Sequence, residues 1–139
     1  MKVAVLAETR AGESRVALIP ALVEELVEKK GFEVALEAGA GLESYFPDDE
    51  YEDAGATLGD AASALSGADV VLWVSPPSLE RAALLAEGQV GLGFMAPFTE
   101  LEVVKTLAER KVTSFSMELV PRTTRAQRMD ALSSQATVA

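Results

Sequence analysis

The sequence predicts an α/β domain, a doubly wound parallel sheet of about five strands flanked by helices, and two observations carry that prediction. Short apolar runs rich in Val, Leu and Phe alternate with longer stretches of helical period, the pattern of successive βαβ units. The 139 residues are 49% hydrophobic and 24% charged, the balance of one globular domain with a core of its own.

The predicted strands are residues 2–7, 33–36, 69–74, 89–94 and 112–116. Between the first two, Leu22, Val23, Leu26 and Val27 fall on one side of a helix over 20–30, with Glu24, Glu25, Glu28 and Lys29 on the others. Pro20 suits the first turn of that helix and Gly31 its C-terminal cap. Glycines, Pro47 and the run Asp48, Asp49, Glu50, Glu52, Asp53 predict loops and a short surface helix between residues 39 and 59. Residues 79–86 and 99–110 repeat the helical pattern, the second with Thr99 as N-cap, Glu102 three residues later and Arg110 in the last turn. Residues 117–139 differ: they contain Pro121 and three arginines and end in a small-residue, apolar run with no helix stop, as expected where a helix continues in a longer protein.

Composition narrows the chemistry. The chain has no Cys and no His, which excludes disulfides, thiol nucleophiles, imidazole acid–base catalysis and Cys/His metal sites. No apolar stretch approaches the 18 or more residues of a membrane span, and the start runs directly into a strand, so neither anchor nor signal peptide is expected. A net charge of −10 argues against nucleic-acid binding. That charge is uneven: residues 1–104 hold 6 basic and 19 acidic side chains, net −13, and residues 105–139 hold 6 basic and 3 acidic, net +3. The basic end is where an anionic ligand or an acidic partner would be sought.

Four segments bear candidate groups. Gly39-Ala40-Gly41-Leu42-Glu43-Ser44 approaches a dinucleotide fingerprint, but Ser44 stands at its third glycine and Pro47 follows, so a simple turn competes with a pyrophosphate site. Arg15, in the loop after the first strand, suits either an anionic ligand or an ion pair with Glu8 or Glu13. Trp73 lies in an apolar strand before Pro76-Pro77 and predicts a core anchor. The richest run is Pro121-Arg122-Thr123-Thr124-Arg125-Ala126-Gln127-Arg128-Met129-Asp130-Ala131-Leu132-Ser133-Ser134, which concentrates guanidinium, amide, carboxylate and hydroxyl groups able to orient a polar heteroaromatic ligand. Helix capping competes for some of them, by Thr124 with Gln127 or by Asp130 ahead of a helix beginning at Ala131.

These residues resemble a known family. Glu13-Ser14-Arg15-Val16-Ala17, Glu37-Ala38-Gly39-Ala40-Gly41, Ala54-Gly55-Ala56 and above all Val120-Pro121-Arg122 through Ser134 are similar to the NAD(H)-binding alpha subunit of proton-translocating NAD(P) transhydrogenase, in the superfamily shared with alanine dehydrogenase. The resemblance covers the whole chain, 1–139, and implies a Rossmann-like or flavodoxin-like N-terminal domain in which 117–139 form a cofactor loop and interdomain helix. It implies that Arg122, Gln127, Asp130 and Ser133 reach the nicotinamide of NAD(H). Hydride would pass to NADP(H) on a partner subunit without any protein acid, base or metal.

The resemblance further implies a homodimer, NADP-binding and membrane-spanning partner subunits, and a cytoplasmic position peripheral to the inner membrane. A Gly-rich dinucleotide domain would lie beyond this segment, and a later return of the chain would complete the first domain. In alanine dehydrogenase a substrate-binding Lys precedes the strand-exit Pro by two residues and a His follows the fourth strand. Here those places read Val74-Ser75-Pro76-Pro77 and Phe94-Met95-Ala96-Pro97, which argues against alanine chemistry. A non-catalytic interaction module of the same fold is the alternative of another class.

Overall fold

Six parallel strands build one sheet in the order β3-β2-β1-β4-β5-β6 in a computed structural model that describes residues 1–136. They are β1 (Lys2–Val5), β2 (Glu33–Glu37), β3 (Thr57–Gly59), β4 (Val70–Leu72), β5 (Val90–Gly93) and β6 (Thr113–Ser116). This is the doubly wound order in which the chain reverses direction between β1 and β4. The five predicted strands are present, and β3 at the sheet edge is a sixth that the sequence pattern did not predict.

The helices are α1 (Pro20–Glu24), α2 (Asp48–Asp53), α3 (Ala61–Leu65), α4 (Leu79–Ala82), α5 (Leu101–Glu109) and α6 (Ala131–Ala136). Pro20 opens α1, which widens into a π-helical turn over Glu25–Lys29 and ends on Gly31, whose φ of +65° suits glycine. Asp60 caps α3 by accepting the Ser63 N–H, and Ser78 caps α4 by accepting that of Arg81. The expected capping by Thr99 does not form. Ala96, at φ +43°, turns the chain so that its carbonyl accepts the Thr99 and Glu100 N–H groups, and α5 starts two residues later behind Glu100.

The two faces of the sheet are covered differently. One carries α3, α4 and α5 over a core that includes Ala4, Leu65, Val71, Leu85 and Leu107. Trp73 lies flat against the edge of this core, where a Cβ on Gly91 or Gly93 would come within 2.2 or 2.3 Å of it. The other face carries α1 and α2, packed on Val5 and Leu36 through Val23 and the buried Tyr51, whose hydroxyl donates to the Leu18 carbonyl. These two helices do not extend over β5 and β6. Phe115, in register with Leu92, is 55% exposed there. No helix among the described residues is long and apolar enough to cross a membrane.

Candidate functional site

Ligands of open α/β sheets sit at the carboxyl ends of the strands, beside the reversal point. In this chain those strand ends are already occupied by its own carboxylates. Glu37 accepts the Ala7 N–H beyond β1 at 2.9 Å and pairs with Arg81 through two guanidinium nitrogens at 2.7 and 2.9 Å. Glu8 accepts the Val74 and Ser75 N–H groups beyond β4 at 2.6 and 3.2 Å. Asp48, the first residue of the acidic run, accepts the Gly39 N–H beyond β2 at 2.8 Å. Glu118 accepts the Met95 and Ala96 N–H groups beyond β5. Burial lifts the Glu8 carboxyl above its ordinary range, against the pull of its two backbone donors. The space at the reversal point amounts to about 20 Å³, no more than one water.

The open volume lies beside it. A cleft of about 500 Å³ sits over β4 and β5 on the face that α1 and α2 leave uncovered. Leu72, Leu92 and Phe94 form its floor, Arg15 to Ile19 and Ser44 one wall, and Met117 and Ala131 the other. Arg15 takes the ion-pair option open to it, donating Nε and Nη2 to the two oxygens of Glu13, both at 2.7 Å. That fork, with the Ser75 hydroxyl, holds the Glu13 carboxyl down at about 2. Gly41 serves the fold: a Cβ there would stand 2.5 Å from the Tyr51 ring. The 39–44 segment is a turn running into the 3-10 helix Leu42–Ser44.

Residues 122–133 fold as coil, the 3-10 turn Gln127–Met129 and the start of α6. Asp130 caps α6, its Oδ1 accepting the Ser133 N–H at 3.0 Å and its Oδ2 the Ser133 hydroxyl at 2.7 Å. These bonds, with the nearby Arg122, keep its carboxyl below the ordinary Asp range. Arg122 Nε stands 4.0 Å from Asp130 Oδ2 and is otherwise open to solvent. Gln127 is exposed at the head of the turn, and Thr124 forms no capping box with it because Ala126 takes the cap position. Three of the four predicted contacts, Arg122, Asp130 and Ser133, thus gather beside Ala131 at the cleft. Of the expected apolar end of the chain, Thr137, Val138 and Ala139 lie outside the described residues. Sequence reasoning missed Glu8, Glu37 and Glu118 as caps, because nothing in local spacing links them to the strand ends they serve.

The family model for the alanine dehydrogenase/PNT N-terminal domain matches residues 4–139. The chain belongs to this family. A relative from Rhodospirillum rubrum, the first of the parts into which its NAD(P) transhydrogenase subunit alpha is divided, is 46% identical over 145 aligned positions, covering 100% of this chain and 38% of that protein. The solved transhydrogenase from Sinorhizobium meliloti matches with a TM-score of 0.93 at 44% identity, over 99% of this chain and 41% of that one. A solved L-alanine dehydrogenase matches with a TM-score of 0.84 at 28% identity, over 90% of this chain and 34% of that one. The chain therefore spans about two fifths of the length of the transhydrogenase relatives it matches. The family fold, the half-covered sheet and the cleft are one arrangement.

Proposed function

We propose that this chain is the N-terminal domain of the NAD(H)-binding alpha subunit of a proton-translocating NAD(P) transhydrogenase, and that its 122–133 loop contacts the nicotinamide during hydride transfer from NADH to NADP on a partner subunit. The observation that carries the reading is the placement of the Asp130–Ser133 pair and Arg122 beside an apolar cleft of about 500 Å³ at the carboxyl ends of the strands. Apolar walls suit the ring, while the Gln127 amide and Ser133 hydroxyl suit its carboxamide, which needs both donors and acceptors. A bound nicotinamide supplies the hydride chemistry, so the protein must only orient it and exclude water.

The pyrophosphate does not fit here, because the strand-end N–H groups that would hold it already bind Glu8, Glu37, Asp48 and Glu118. A further Gly-rich domain of the full-length subunit holds the phosphates, and a later return of the chain covers β5 and β6. The subunit works as a homodimer, at the cytoplasmic side of the inner membrane through its membrane-spanning partners. Alanine chemistry is disfavoured at the residues themselves. Ser75, at the β4 exit, gives its hydroxyl to Glu13, and the segment after β5 presents Met95 and Ala96, whose N–H groups Glu118 takes.

The test is Asp130→Asn and Arg122→Ala in the full-length subunit assembled with its partners. Asn still caps a helix, so α6 survives while the charge is lost. Hydride transfer slows by about tenfold or more in both variants, with NADH affinity changed less, since adenosine and phosphates supply most of the binding. Unchanged turnover in both removes the loop from the reaction.

A further inference from the structure

The root of the 122–133 loop hangs on one side chain. Glu118 lies in the 3-10 turn Met117–Leu119 directly after β6. Its Oε1 accepts the Met95 N–H at 2.9 Å and the Ala96 N–H at 2.5 Å, and its Oε2 accepts the Ser116 hydroxyl at 2.6 Å. Ala96 is held at φ +43°, a left-handed conformation that an alanine adopts only where surrounding bonds impose it, and it turns two successive N–H groups toward one anion. The carboxylate fills that nest and fastens the turn after β6 to the exit of β5. Burial works against its charge, but the hydrogen bonds from Ser116 and the backbone outweigh it and keep the carboxyl below the ordinary range.

The chain beyond this turn depends on the fastening. Residues 120–125 run as irregular, mostly exposed chain. The next α-helix, α6, packs back on the 117–119 turn, so that Met117 and Ala131 stand together in one wall of the cleft. The turn that Glu118 clamps is therefore the platform on which the start of α6, and with it the Asp130–Ser133 pair, is seated. Glu118 is outside the residues that line the cleft.

We propose that Glu118 is a positioning residue for the loop: by locking the 117–119 turn to the β5 exit it sets where Asp130 and Ser133 stand. The consequence for hydride transfer rests on the reading of the loop given above; the clamp itself does not.

Hydrogen exchange of the 119–133 amides in the full-length protein, followed by mass spectrometry without added cofactor, tests the clamp. Glu118→Ala accelerates exchange across 119–133 by about tenfold or more while β1 and β2 keep their rates. Glu118→Gln keeps one acceptor and the side-chain volume, so it falls between that variant and the parent, and Ser116→Ala produces a smaller acceleration in the same segment. Unchanged exchange in Glu118→Ala overturns the proposal. Should that variant fail to fold, unchanged exchange in both Glu118→Gln and Ser116→Ala overturns it equally.

Steady-state kinetics on the assembled complex, with NADH as the varied substrate, separate the clamp from the loop's function. Glu118→Gln lowers kcat several-fold with little change in KM for NADH, and Ser116→Ala lowers it less. Faster exchange with unaltered kcat leaves the clamp standing and refutes the contact between loop and nicotinamide.

Discussion

One row of side chains crosses all six strands in register: Leu58, Leu36, Val5, Leu72, Leu92 and Phe115. At the β1–β2 end the row is sealed under α1 and α2, with Val5 at 0% and Leu36 at 1% exposure, and at the β6 end Phe115 stands 55% exposed. Backbone pairing is continuous along the whole row, so the difference is not one of strand formation. It is one of cover. The chain builds a complete sheet and supplies helices for only part of one face, and the cleft opens where the cover stops. The sealed end is where this domain obtains its stability, and the open end is where it receives something else.

The comparison breaks first on ligand affinity. Residues 1–139 expressed alone bind NADH no tighter than about millimolar, worth about 4 kcal/mol, and the full-length protein binds it about a thousandfold more tightly. Calorimetric titration of both, at equal salt, checks this, and saturable micromolar binding to the short chain would falsify the division of labour proposed here. Within the sealed end, Leu36→Ala removes a fully buried side chain and lowers stability by about 3 kcal/mol, read from urea melts.

A third effect, of about 1 kcal/mol after solvent screening of the half-exposed Arg15, comes from acid. Arg15 holds the Glu13 carboxyl at about 2, below its ordinary 4.5, so Glu13 contributes stability above pH 4.5 that is lost as pH falls toward 2. Glu8 is shifted the other way, chiefly by burial, so its contribution grows as pH falls through its raised value toward 4.5. Thermal melts across pH should show Glu13→Gln flattening the profile below pH 4.5 and Glu8→Gln altering it only above. Coincident windows would contradict the assignment. The smallest effect belongs to the open end: Phe115→Ala costs less than about 0.5 kcal/mol in residues 1–139. In the full-length protein, where the face is covered, the same change costs about 3 kcal/mol. Equal costs in the two proteins would mean that β6 stays bare.

The sequence announced the sealed end better than the open one. Val and Leu runs placed the five longer strands, and the leucines and valines of 20–30 placed α1 against the sheet. β3 escaped because Thr57–Gly59 has one apolar centre, Leu58, too few for an alternating pattern. α3 escaped because Ala61–Leu65 is a single turn of mostly small residues, although Asp60 ahead of Ser63 was a legible cap. At the site, Asp130 before Ala131 was readable as a cap because capping is local. Glu8 meets Val74 across 66 positions and Glu118 meets Met95 across 23, and no spacing rule reaches that far.

The strand-end carboxylates have a consequence for how such a domain could acquire a new ligand. Each is a competitor tethered beside its own binding site, at an effective concentration of at least about millimolar, which free phosphate at lower concentration does not displace. A domain wired in this way is deaf to stray anions, and gaining an anion site would begin with deleting one of its own glutamates and leaving the backbone donors behind it empty.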